Sequence, residues 1–369
     1  MNKPTFSNYA KLIAFFVVAI LLVVGFGFTT EGLWTSNAQS TTDDTPNEPQ
    51  SNITPNETVK PPENNVPTVK IPEYFNYLTG LESTEENSRK RHFAFVLDSS
   101  APLFGTSSCD IIAEFPTEEN STRLLAFTNT TERLSKIGSM TASRAYISNV
   151  ARFFSSVIIA KGDDGKTNYE SCATSGAFFD MERHAGYYYT EYSQFVYTNG
   201  DLINAGVYNA NVNTTAEPDG SLPYDFVDYG KSISKKDKSA KSILLPFSDK
   251  NETELYYSTT DGSYTFNKNG ASKNDMLTDK KVTFKNVFVL FADTVTYETT
   301  ASTEMVMKTI GSGSGYYITD GHCQDITWQS DVSGAMTFFD SNGEKLVINR
   351  GNAYLGFIKS IKSEEIQIS

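Results

Sequence analysis

Histidine and cysteine are scarce in this chain, three of each in 369 residues. The histidines form no His-Glu-x-x-His motif and the cysteines no Cys-x-x-Cys pair, which removes common zinc ligand sets and the usual dithiol centre. There is no Gly-x-Ser-x-Gly nucleophile elbow either. On these grounds no metal and no cofactor is expected. Cationic side chains are also in deficit, 31 Lys and Arg against 44 Asp and Glu, for a net charge of −13. Nucleic-acid binding needs a basic face that releases counterions, so that class is excluded. Cys109, Cys172 and Cys323 are an odd, widely spaced set that allows at most one disulfide, and they read as buried thiols.

What the chain does have is one long apolar run. Residues 12–30 carry no charge, and at about 1.5 Å per residue they span roughly 28 Å, close to a hydrocarbon core. Lys3 and Lys11 precede the run and Glu31 follows it, which places the N-terminus in the cytoplasm and the rest outside. A cleavable signal peptide ending at Ser36-Asn37-Ala38 is the other reading. The long gap between Phe28 and Ala38 favours a retained anchor. No cysteine follows the run closely, which excludes lipid attachment there. The expectation is a single-pass protein of the cell membrane with its C-terminal domains outside the cytoplasm.

Residues 37–70 are mostly Thr, Asn, Pro and Glu, with six of the thirteen prolines. Such a segment buries too little apolar surface to offset its ordering entropy and should be a disordered, extended tether. Beyond it, residues 92–97 and 123–127 read as strands, and 109–115 as a strand or short helix. Tyr146, Ile147, Val150, Ala151, Phe153, Phe154 and Val157 recur at helical spacing, which predicts a helix over 143–157 capped by Thr141 or Ser143. Residues 157–160 then read as a buried strand, completing an α/β unit. Residues 192–203 read as a helix broken at Asn199-Gly200. Five lysines between Lys231 and Lys241 mark a boundary. After it come short β-forming runs punctuated by Asp261-Gly262, Asn269-Gly270, Asp320-Gly321 and Asn342-Gly343, all hairpin signals. The expected organisation is a stub and anchor (1–36), a tether (37–70), an α/β domain (71–235) and a β-rich antiparallel domain (236–369), α+β or mixed overall.

Ligand-like residues are densest in 137–154. The front of a helix presents unpaired N–H groups and partial positive charge. Ser139, Thr141 and Ser143 add hydroxyls, Arg144 a bidentate fork, and Arg123 could converge on the same spot. A bland alternative has Ser143 capping the helix and Arg144 paired with Glu114 or Asp110. Asp98, Asp110 and Glu114 form a second set, able to act as acid and base if two lie about 5–9 Å apart, or else to serve as a turn cap and ion pairs. Tyr187-Tyr188-Tyr189 and Trp328 could stack on sugars, but core packing explains them more simply. Gly311 to Gly315 lacks the lysine of a phosphate loop, and Ser232-x-x-Lys235 sits in a Lys/Ser-rich stretch where that spacing arises by chance.

One set of motifs runs through both halves. The first half carries Phe95-Val96-Leu97-Asp98, Asp110-Ile111-Ile112, Glu114, Thr122-Arg123, Lys136-Ile137-Gly138 and Ser143-Arg144-x-Tyr146. The second carries Gly311-Ser312-Gly313-x-Gly315-Tyr316-Tyr317, Asp320-Gly321, Ile326-Thr327-Trp328 and Phe339-Asp340-x-Asn342-Gly343. Over residues 91–358 this pattern resembles the YerB-like family of bacterial cell-envelope proteins, a two-part domain of unknown function. The resemblance implies a lipoprotein or membrane-anchored protein of Gram-positive-type bacteria and adds Tyr146 to the candidate ligand residues. The chain departs from the pattern where the family has a second arginine (Thr141 here), a proline (Ala145) and a His-Asn pair (Gly186 and Tyr187), which marks a divergent member.

The resulting expectation is an envelope binding or scaffolding protein that recognises an anionic or carbohydrate ligand or a partner protein. The candidate ligand residues are Ser143, Arg144, Arg123, Asp98, Glu114, Tyr146 and Thr141. The rival is a hydrolase or transferase of cell-wall polymer that uses Asp98 or Glu114 with Arg144. The residues alone do not decide between them.

Overall fold

The strand Phe93–Asp98 (β1) is apolar on both sides because it runs through the middle of a sheet covered on both faces. A computed structural model describes residues 70–118, 120–162, 178–214, 222–233, 238–298 and 303–369. The expected membrane segment lies outside these residues, as does the expected tether apart from Lys70. Among the described residues no helix is long and apolar enough to cross a membrane.

β2 (Ile111–Pro116) and β3 (Thr122–Thr128) form an antiparallel pair, and β3 continues antiparallel onto β1. On its other side β1 runs parallel to β4 (Val157–Ala160), which is parallel to β5 (Phe178–Asp180). A second sheet is built around β6 (Ser242–Ser248), β7 (Asn251–Ser258) and β8 (Ser263–Lys268). In the first sheet β9 (Asn286–Ala292), β10 (Gly311–Thr319) and β11 (His322–Ser330) make an antiparallel ladder. β12 (Ala353–Lys359) lies parallel between β9 and β2, and so joins strands from both halves of the chain. Asp320 and Gly321, both at positive φ, form the two-residue loop between β10 and β11 that an Asp-Gly pair favours.

Two cores follow from the period of two along each strand. Ala94, Val96, Ala113 and Phe115 face one side, where helix α1 (Ala145–Phe153) packs with Trp328 and Phe338. Phe95, Leu97, Ile112 and Leu124 face the other, against Leu245, Leu255 and Phe266 of the second sheet and Ile203 of helix α2 (Gly200–Asn209).

The mixed class holds, with mostly strands and few helices. Residues 234–237, which contain the expected boundary at 235, lie outside the described residues, and strands from either side of them share the first sheet. The C-terminal part is not antiparallel throughout, since β9 and β12 run parallel. The helix expected over 192–203 is instead a strand, Phe195–Thr198, followed by α2. The β-forming Phe-Val-Tyr-Thr pairs with Tyr189–Glu191, and Asn199 caps α2 by accepting the Leu202 N–H at 2.9 Å.

One charge pair sits between the sheets. Glu114 on β2 is fully buried and ion-paired with Lys268 at the end of β8, whose side chain is 4% exposed. The carboxylate also accepts hydrogen bonds from Thr122 Oγ1 (2.5 Å), Thr253 Oγ1 (2.7 Å) and the Tyr354 hydroxyl (2.7 Å). Lys268 donates to Thr253 as well and lies over the Phe247 ring. Burial pulls the Lys268 pKa below its ordinary value, against the opposing pull of Glu114. Removing one partner leaves an uncompensated buried charge. Glu114→Ala is therefore expected to cost about 3–5 kcal/mol in urea unfolding, and Glu114→Leu combined with Lys268→Met to recover most of it.

Candidate functional site

β1 and β4 begin as parallel neighbours, Phe93 beside Val157 through Phe95 beside Ile159, and then separate. Residues 139–141 fill the gap. The Asp98 N–H donates to the Ser139 carbonyl, the Thr141 N–H to the Val96 carbonyl and the Lys161 N–H to the Thr141 carbonyl, each at 3.0 Å. The loop from 137 to 144 is thus wedged between the carboxyl ends of two parallel strands, the place where open α/β sheets form ligand crevices. Gly138 makes the wedge possible. Its φ is +147°, and a Cβ there would lie 2.6 Å from both the Val196 carbonyl oxygen and the Tyr197 ring.

The candidate residues divide between the two faces of the sheet. Asp98, Arg123 and Phe115 are cross-strand neighbours on the α1 face, while Ile137 and Met140 of the wedge pack into the opposite core. Glu114, aligned with Leu124 and Leu97, is on the opposite face inside the buried network. The sheet itself therefore separates Glu114 from Asp98, and the expected carboxylate pair does not face one substrate. The structural account of Asp98 is a turn cap: its Oδ1 accepts from the Ser100 N–H at 2.9 Å and hydroxyl at 2.6 Å.

Arg123 converges on the loop as expected, its guanidinium donating to the Ala142 carbonyl at 2.7 Å. Arg144 pairs with Glu118 at 3.0 Å, not with Glu114 or Asp110, and both side chains are largely covered. Burial opposes the Glu118 carboxylate, but the Met305 N–H and the Arg144 guanidinium outweigh it and hold its pKa below the ordinary carboxylate value. Asp110 instead accepts from the Asn129 N–H and pairs with Arg133.

Helix α1 starts later than its apolar periodicity suggests. Arg144, with extended backbone, is the N-cap and makes no side-chain capping bond, so neither Thr141 nor Ser143 caps the helix. Ser143 is buried, its N–H donating to the Gly162 carbonyl and its hydroxyl lying 2.9 Å from that of Ser148. Tyr146 is buried too, its hydroxyl donating to the Pro116 carbonyl at 3.0 Å. Both serve the fold of the loop. Three participants escaped the sequence reading: Glu118, Lys161 and Asp180. Asp180 accepts from the Gly162 N–H at 3.0 Å and so fixes the far side of the wedge. An acidic residue closing a short apolar strand is a usable signal for Asp180, whereas Glu118 sits in a polar turn that offers none.

Other candidates resolve as packing. Trp328 is buried and its indole N–H donates to the Phe291 carbonyl at 3.1 Å. Gly313 and Gly315 lie in β10 where a Cβ would approach the Phe291 and Val289 carbonyl oxygens to 2.4 and 2.2 Å, so the glycine run serves a close sheet contact. Cys109 and Cys323 are free and buried, and burial pushes the Cys323 thiol up to about 12. Cys172 lies outside the described residues.

Residues 78–213 match the N-terminal domain, and residues 243–355 the C-terminal domain, of the protein family of unknown function DUF3048. The chain belongs to this family. No curated protein matches it. Among solved structures it is similar to the YerB protein from Bacillus subtilis, with a TM-score of 0.68 and 20% identity over 80% of this chain and all of that one. That likeness shows the fold, and with both domain matches it supports the YerB-like, two-part family. The wedge and Glu114 both fall inside the N-terminal domain match, while Lys268, Thr253 and Tyr354 fall inside the C-terminal one.

If the wedge depends on Gly138, Gly138→Ala should lower stability by about 1–3 kcal/mol, measured by chemical denaturation. Thr141→Ala, which keeps the backbone bonds, should stay within about 0.5 kcal/mol of the parent.

Proposed function

We propose that this member of the DUF3048 family is a binding or scaffolding component of the cell envelope. It is held at the membrane by residues 12–30 and recognises an anionic ligand at the wedge between β1 and β4. The observation that carries this reading is one loop at the carboxyl ends of parallel strands that bears Arg144 and is held by the Arg123 guanidinium. Lys161, at the end of β4, adds a third cation to the same edge. A guanidinium presents its N–H donors in a fixed planar fork, the geometry that suits phosphate and carboxylate. Cell-wall polymers and other envelope proteins are the partners this chemistry suits.

The rival reading, a hydrolase or transferase of wall polymer, requires two carboxylates aimed at one scissile bond. Glu114 is buried behind the sheet with both oxygens engaged, which favours binding over catalysis.

The test is titration of the full chain with a short glycerol-phosphate oligomer. Arg123→Lys and Arg144→Lys, which keep the charge but lose the fork, should each weaken binding about tenfold, with thermal midpoints within a few degrees of the parent. Undiminished affinity in both variants, or loss that tracks unfolding, contradicts the proposal.

A further inference from the structure

A separate cleft of about 470 Å³ opens on another part of the surface, bounded by the start of β1, residues 129–131 and the last turn of α2. Its size lies within the range of about 300–1,000 Å³ usual for small-ligand sites. Its chemistry differs from that of the wedge. Among the described residues the only charged one lining it is Lys90, and that ammonium is already paired with Glu86 at 2.7 Å. The described lining therefore offers no unmatched charge to an ionic ligand.

What it offers is amide and hydroxyl groups above an apolar floor of Phe93, Val207 and Val212. Asn129 is 2% exposed, its backbone N–H donating to the Asp110 carboxylate and its side-chain NH₂ to the Asn87 carbonyl, so its position is fixed before any ligand arrives. Its side-chain carbonyl accepts no hydrogen bond among the described residues. Asn204 uses its carbonyl to accept the Thr131 hydroxyl at 2.9 Å, which leaves its NH₂ to donate. Beside them the Tyr208 side chain is an 82% exposed aromatic on the last turn of α2. Paired amide donors and acceptors, an apolar floor, an exposed aromatic ring and no free charge among the described lining residues match a ring that bears hydroxyls or acetamido groups on its edge and C–H groups on its faces.

We propose that this cleft binds a neutral saccharide. The assignment rests on the reading of the chain as an envelope-binding protein and adds a second ligand class at a second place. Asn129 and Asn204 contact hydroxyl or acetamido groups, the aromatic ring of Tyr208 covers one sugar face, and Phe93 and Val207 receive the other.

Calorimetric titration of the full chain with tetra-N-acetylchitotetraose tests it. Saturable binding is expected, weakened about tenfold by Tyr208→Ala and by Asn204→Ala, with thermal midpoints unchanged since both side chains are exposed. Absence of saturation up to about 10 mM overturns the proposal, as does binding that both variants retain in full. The glycerol-phosphate oligomer separates the two sites. A chain that binds the phosphate oligomer through Arg123 and Arg144 but no saccharide keeps the wedge reading and rejects the cleft. Saccharide binding lost in Tyr208→Ala, with no phosphate binding at all, supports the cleft and rejects the wedge.

Discussion

The Glu114 carboxylate has four donors around it and no access to water, and much of the rest of the structure follows from that placement. Its partners come from β3, β7, β8 and β12, so a single group ties the first half of the chain to the second and the first sheet to the second. Taking two charges out of water is costly, and such a pair persists only when every donor and acceptor is met. Register is fixed as a result. A slip of one residue in β2 would turn Glu114 into the α1 core and Phe115 toward Lys268.

The candidate site inherits this register. With Glu114 on the second-sheet face, Phe115 and its cross-strand neighbours Arg123 and Asp98 must face α1. Arg123 is then placed to hold the Ala142 carbonyl, and the loop it holds fills the gap where β1 and β4 part. Strand pairing sets the site's position, and Gly138 lets the chain enter it. The saccharide cleft draws on different elements, the start of β1 and the end of α2, which is why the two sites can be tested separately.

Much of this was legible in the residues. The strands near 93–98, 111–116, 122–128 and 157–160 stand out as short apolar runs ended by polar turns, and the structure places them close to those bounds. The Asp-Gly and Asn-Gly signals also correspond to turns: φ is positive at both residues of Asn269-Gly270 and Asp320-Gly321, and at the glycine alone in Asp261-Gly262 and Asn342-Gly343. The splitting of the carboxylates was harder to read, since the pairing partners that assign a face to Glu114 lie far along the chain. A partial signal existed in Tyr264, Phe266 and Lys268, which alternate on the buried phase of β8 and so put a lysine where an apolar residue belongs. A cation on a buried phase calls for a buried anion, and Glu114 on a strand buried at every position was the matching one. The late start of α1 was not legible, because Arg144 enters as an N-cap only through the backbone bonds of the wedge.

The central claim is that the two family domains are one cooperative unit joined through Glu114 and Lys268. Native-state hydrogen exchange under mild denaturant measures this directly. The slowest amides of β2, β7 and β12 should share one opening free energy in the parent protein and fall together in Glu114→Gln. Amides of β2 that open independently of those in β7 and β12, with free energies untouched by the substitution, would contradict it.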